Sequence, residues 1–224
     1  MADTYLNAMN SYKWDIYRPY LEDVDSVLHI GSRGPHSLEA IDGWLHSYID
    51  EQCETAIGID INKADVESAQ ELGYDVRHDN AESFDLSRDD FEMVIAPDVI
   101  EHLVNPGQMF DQVEKHMSEN GRFLLNTPNP ISLLYVFAYL KRGSLDQIIS
   151  DHHTMWFDEK TFAEFARRKG FEVVTEEPML WERDAKSPLD WAFLQVRDVF
   201  SRFNRWKRAF SHSHFYVLKY DHSS

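Results

Sequence analysis

Five short apolar, β-branched runs recur through the first 126 residues: SVLHI (26–30), TAIGID (55–60), YDVR (74–77), FEMVIA (91–96) and RFLLN (122–126). Between most of them lie stretches with apolar residues at helical spacing. SLEAIDGWLHSYI carries Leu38, Ile41, Leu45 and Ile49 on one face, and KADVESAQEL and GQMFDQVEKHM behave alike. Strands alternating with helices predict a parallel sheet with right-handed crossovers. The runs are nearly continuous in apolar character, as in strands covered on both faces. The pattern predicts an α/β three-layer sandwich.

The second half departs from that rhythm. DEKTFAEFARRKG predicts a helix with Asp158 as N-cap and Gly170 as its stop, followed by a strand over FEVVTEE (171–177). HFYVLKY (214–220) predicts one more strand. ISLLYVFAYLKRG (131–143) is mostly apolar with a basic end. PLDWAFLQVRDVFSRFNRWKRAF (188–210) predicts one helix, with Leu189, Ala192, Phe193, Val196, Val199, Phe200, Phe203 and Phe210 at helical spacing and Arg197, Arg205, Lys207 and Arg208 on the other side. With no linker or repeat, residues 1–224 are expected to form one unit: a helical segment over 1–23, a core over 24–177, a helical cap over 178–213 and a last strand.

Charge and cysteine content narrow the function classes. The net charge is −17, which disfavours non-specific nucleic-acid binding, because phosphate contacts need clustered Lys and Arg. With 22 Asp and 9 Lys the balance resembles proteins of salt-loving organisms, or simply an acidic cytosolic protein. Residues 183–210 reverse it, with seven Lys or Arg against three Asp. That segment reads either as a cap helix packed on the sheet or as an interfacial amphipathic helix on anionic lipid. Cys53 is the single cysteine, so there is no internal disulfide and no Cys-based zinc site. MADTYLNAMNSYKWDIYRP lacks the apolar core of a signal peptide, and no run is long enough to span a membrane. A cytoplasmic location is expected, with peripheral membrane contact through 188–210 as one option.

Open α/β sheets bind ligands at the carboxyl ends of their strands. Polar or glycine-bearing residues follow the first four strands in series: Gly31 to Gly34, Asp60, Asp79 with Asn80, and Pro97 with Asp98. Glycines let the backbone approach a ligand, and an acid ending the second strand can accept from ribose hydroxyls. A polar residue after the third can bond an adenine amino group. The ligand should therefore carry adenosine.

On these residues the chain resembles the class I S-adenosylmethionine-dependent methyltransferases over roughly residues 24–177. VLHIGSRG is similar to their first motif, AIGIDIN to the second and VRHDNAESFDL to the third. FEMVIAPDVIEHLVNPGQMFDQVEKHMSENGRFLLNTPNP, with its EHL and TPN signatures, is similar to the fourth and fifth, and DHHTMWFDEKTFAEFARRKGFEV matches a segment common in the group. The resemblance implies a Rossmann-like sandwich with a seven-stranded, mostly parallel sheet whose last strand is antiparallel. It implies S-adenosyl-L-methionine as cofactor, held by His29, Gly31, Ser32, Gly34, Asp60, Ile61, Asp79, Asn80, Ala81, Pro97 and Asp98. Three positions depart from the pattern: His29 stands for an acid, and Arg33 and Pro35 for glycines. Gly34 is expected to make the tight turn instead.

Methyl transfer from a sulfonium needs mainly a positioned acceptor, and a hydroxyl acceptor needs a base or a metal besides. The expected catalytic residues are His102, Glu101 and His153. His102 suits general-base work, with His153 arriving from the second half. Glu101 and His102 could instead only hold the loop. The set is also similar to metal-dependent O-methyltransferases of the ubiquinone pathway and of small-RNA 2′-O-methylation, so a divalent-metal role stays open. A sugar or lipid-linked saccharide is the expected acceptor class. The rivals are a nucleotide-dependent oxidoreductase and a non-catalytic binding module.

Overall fold

The computed structural model describes residues 15–35, 44–144, 150–180 and 188–222. Its centre is one seven-stranded sheet: β1 (Ser26–Ile30), β2 (Thr55–Asp60), β3 (Val76–His78), β4 (Phe91–Pro97), β5 (Met117–Pro128), β6 (Phe171–Met179) and β7 (Ser213–Tyr220). The order is β3-β2-β1-β4-β5-β7-β6. The first five strands are parallel to one another, and β7 inserts antiparallel between β5 and β6. The chain winds outward from β1 to β3, then returns to lay β4 against β1, so the strand order reverses between β1 and β4. This is the Rossmann-like topology expected, antiparallel insertion included.

Alternate residues of each strand supply the two apolar faces. Leu28, Ile57, Val94, Phe123 and Tyr216 face one layer, built on α3 (Pro106–His116) and α5 (Glu159–Arg168). Val27, Ala56, Ile95, Leu124 and Phe215 face the other, where Leu45 and Ile49 of α1 (Leu45–Gln52) pack beside Tyr17 and Leu21. The remaining α-helices among the described residues are α2 (Lys63–Glu71), α4 (Leu133–Arg142), α6 (Pro188–Phe200) and α7 (Asn204–Phe210). Asp158 caps α5 through a reciprocal capping box with Thr161, as its position suggested. Gly143, at φ 74°, closes α4.

Three expectations shift. The third strand covers 76–78 rather than 74–77, because the Tyr74 amide donates to the Ala69 carbonyl of the preceding helix turn instead of the ladder, and its ring packs edge-on against Trp44 with centroids 4.9 Å apart. The helix expected from Leu38 is described only from Leu45, since Leu38 and Ile41 lie outside the described residues. The segment 188–210 is two helices. Phe203 is extended and caps α7, its carbonyl accepting from the Trp206 and Lys207 amides, while the Ser201 hydroxyl turns back to the Asp198 carbonyl. These local bonds compete with a continuous helix.

Candidate active site

The loop after β1 is held by the end of β2. The Gly31 and Ser32 amides donate to the Ile59 carbonyl at 2.9 and 3.1 Å. The buried Asp60 carboxylate accepts from the Arg33 amide at one oxygen and from the Asn62 amide at the other, both at 2.8 Å. Each oxygen keeps lone pairs for a further donor. Asp60 thus straps two loops together while still able to accept a hydroxyl.

Gly31 has φ 70°, and Arg33 takes the same left-handed region at φ 54°. For a non-glycine residue this costs about 1 kcal/mol. The turn expected of Gly34 is therefore made by Gly31 and Arg33. Gly34 serves packing: a Cβ there would collide with the Asp65 carbonyl at the start of α2. Gly31 likewise has no room for a side chain, because Val99 of the loop after β4 lies over it. Trp44 Nε1 closes the loop from behind with a 2.7 Å bond to the Ser32 carbonyl. His29 is buried with its ring 5.4 Å from that of His46, which burial pushes down to about 4.

Beyond β2, Ile61 is 69% exposed. Asp79 donates its amide to the Asp60 carbonyl and accepts from the Asn80 amide, and Asn80 accepts from Glu82, so these residues and Ala81 form a turn beside Asp60. Glu82 then accepts from the Val104 and Asn105 amides at 2.7 and 2.8 Å, and those bonds lower its pKa. The turn after β3 is thereby fastened to the loop after β4.

That second loop carries the expected chemistry. Pro97 ends β4, and Asp98 follows at φ 51°. The Asp98 carboxylate accepts from Asn126 Nδ2, while Asn126 Oδ1 accepts from the Tyr17 hydroxyl at 3.0 Å. Burial first, then the charges of Asp98 and Glu101, keep the Tyr17 phenol protonated. Glu101 is buried and accepts from the Thr127 hydroxyl at 3.3 Å. Its carbonyl accepts the Thr154 amide at 2.8 Å, which brings the 150–157 segment over the loop.

The rings of His102 and His153 meet edge to face at 4.6 Å, and His102 Nδ1 lies 3.3 Å from the His152 carbonyl. Burial lowers the pKa of both imidazoles; for His153 the His102 charge adds to this, and for His102 the Arg33 charge does. Both are therefore neutral near pH 7. His153 Nδ1 is shielded from solvent with no hydrogen-bond partner among the described residues. One ligand atom from each of Glu101, His102 and His153 lies within 4.8 Å of the others, a donor set that a divalent cation could use.

All the expected site residues thus lie along the carboxyl edge of the sheet, though His29 is set beneath the loop against His46 rather than on its open side. Sequence reading passed over Tyr17, Asn126, Thr127, Thr154 and Glu82 as site residues. Thr127 opens the TPN signature and Asn126 immediately precedes it, and Thr154 follows the paired histidines, so those three had a signal. Tyr17 had none beyond being an aromatic in a polar segment.

A family model described as a methyltransferase domain matches residues 17–176. The chain belongs to this methyltransferase family. S-adenosyl-L-methionine is the cofactor of its class I members. The same fold appears in a SAM-dependent methyltransferase of Archaeoglobus fulgidus, at 17% identity and TM-score 0.64 over 94% of this chain and 93% of that one. It appears in another from Mesorhizobium loti, at 16% identity and TM-score 0.62 over 92% and 97%. A third is from Thermotoga maritima, at 12% identity and TM-score 0.64 over 98% and 92%. A search of curated protein sequences found no match.

The residues present fit the cofactor. The left-handed turn at Gly31 and Arg33, the remaining acceptor capacity of Asp60 and the exposed Ile61 beside it are what a bound adenosine with an amino-acid tail would need.

Proposed function

We propose that this methyltransferase O-methylates a sugar or a lipid-linked saccharide. The observation that carries this reading is the pair of neutral imidazoles, His102 and His153, meeting at 4.6 Å beside the buried Glu101. Such a pair can take the proton of an acceptor hydroxyl. Close by, the half-buried rings of Tyr135 and Trp156 lie 5.9 Å apart, and Trp156 shares a segment with His153. Aromatic faces suit the apolar faces of a sugar ring.

On the cofactor side, Asp60 would accept from ribose hydroxyls and the exposed Ile61 would pack against the adenine. Asp79, Asn80 and Ala81 would meet the edge of the base. Gly31, Ser32 and Gly34 shape the loop, with His29 beneath it, and this loop with Pro97 and Asp98 would hold the amino-acid tail. When bound, S-adenosylmethionine supplies an electrophilic methyl on a sulfonium. The protein orients the acceptor, excludes water and holds the released proton on an imidazole. Glu101 keeps the loop in place through Thr127 and Thr154.

A second reading makes Glu101, His102 and His153 ligands of a divalent cation that acidifies the hydroxyl, favoured by their spacing within 4.8 Å. Loss of activity in EDTA with recovery on Mg²⁺ or Mn²⁺ supports it, and full activity in EDTA removes it.

The test is transfer of labelled methyl from S-adenosylmethionine to fractionated membrane and aqueous extracts. Label in a saccharide or saccharide-lipid fraction, absent with His102→Ala, is the expected result. Label only in protein or RNA would overturn the acceptor class.

A further inference from the structure

Helices α4, α6 and α7 form a lobe at the carboxyl end of β5. Phe137 of α4 stacks on Phe193 of α6 at 4.2 Å, and Phe193 meets Phe210 of α7 at 5.6 Å. Arg208 of α7 pairs with Glu159 at 2.8 Å and with Glu176, which ties the lobe to α5 and β6. Tyr135 of α4 reaches Trp156, three residues past His153.

The outer surface of this lobe is apolar. On α6, Leu189, Ala192, Val196 and Val199 recur at helical spacing, and all are exposed. Such a stripe ordinarily marks the buried face of a helix. Here Leu194 and Arg197, on the other side, are the buried residues. Leu140 at the end of α4 is 78% exposed, and Phe203, between α6 and α7, is 64% exposed. Bare apolar residues gathered on one lobe in this way are unusual without a function.

The charge of the lobe selects what covers it. Residues 133–142 and 188–210 hold seven Lys or Arg against two Asp, in a chain with 22 against 39. A second copy of the same face would bring like charges together. Arg197 and Arg208 are not outward cations, because they pair with Asp198 and with Glu159 and Glu176. Arg142 and Arg202 are exposed and Lys207 is half-buried. No helix among the described residues is long and apolar enough to cross a membrane.

From this we infer that α4, α6 and α7 dock in the plane of an anionic lipid surface, with the α6 stripe and Phe203 at the headgroup boundary and the cations on lipid phosphates. This rests on the lobe alone and holds whatever the acceptor. If the acceptor is lipid-linked, docking delivers it beside His153.

Co-sedimentation with vesicles of phosphatidylcholine, with and without phosphatidylglycerol, tests it. Binding is expected on the anionic vesicles only, weakening with salt. The triple change Arg142→Gln, Arg202→Gln and Lys207→Gln should weaken it by about fivefold per cation at low salt. Val196→Ser with Val199→Ser should weaken it in high salt as well. Unchanged melting temperature and unchanged S-adenosylhomocysteine affinity will show that these variants fold and that the methyltransferase reading is unaffected. Wild type that stays in the supernatant with anionic vesicles, or that buries this face in a dimer by sedimentation velocity, would overturn the inference.

Discussion

The two ends of the carboxyl edge of the sheet are built on opposite terms. Over β1 to β3 the loops are laced by polar bonds: Asp60 holds the amides of Arg33 and Asn62, and Glu82 holds those of Val104 and Asn105. Over β5 to β7 the edge is capped by helices that pack through aromatic rings and leave an apolar stripe uncovered. The first end is a rigid cradle for a polar ligand, and the second is a surface for something that brings its own apolar cover. His102 and His153 sit at the seam, tied to the laced side through Glu101 and covered by the segment that leads to the helical side.

The sharpest way to break this comparison is at the seam. His102→Ala or His153→Ala should lower kcat by about 10²–10⁴-fold and leave S-adenosylhomocysteine affinity within about twofold. A parallel loss of affinity would move that imidazole to the cofactor side. Next in size is Asn126→Leu, which removes the partner of the Tyr17 hydroxyl in a buried site. About 2–3 kcal/mol of stability should be lost in urea unfolding. A loss below about 0.5 kcal/mol would show that the Tyr17–Asn126–Asp98 chain does not fasten the N-terminal segment.

Arg33→Gly relieves a left-handed residue and should raise stability by about 1 kcal/mol, the smallest of the energetic effects. It also removes a charge that lowers the His102 pKa. Burial holds the pKa of both imidazoles below the ordinary value of about 6.5. The base form therefore persists to lower pH, and the rate should fall only as pH drops below that value. Arg33→Gly should move this acid limb upward. A wild-type limb above about 6.5 would contradict the burial of the pair.

The same contrast separates what was legible in the chain from what was not. The parallel sheet followed from five apolar runs and their intervening helices, and Asp60 from its position at a strand end, while the antiparallel last strand and the EHL and TPN blocks came from the family resemblance; the strand order itself came from the fold. Strand-end residues are legible because sheet geometry fixes where they point. The left-handed Arg33 was not, since nothing in a sequence shows that an arginine will hold a glycine's backbone conformation. Nor was the break at Ser201 to Phe203, where hydroxyl and carbonyl bonds end a helix whose apolar spacing runs on. The Tyr17–Asn126 bond joins residues 109 positions apart, and only the folded sheet brings them together.

The central claim is that the laced end holds S-adenosylmethionine despite its altered glycine loop. Calorimetric titration of S-adenosylhomocysteine into wild type and Asp60→Ala tests it most directly. One ligand should bind per chain, and the variant should lose about 1–3 kcal/mol of that affinity. Equal affinity in the two proteins, or binding of a nicotinamide dinucleotide with no heat from S-adenosylhomocysteine, would contradict it.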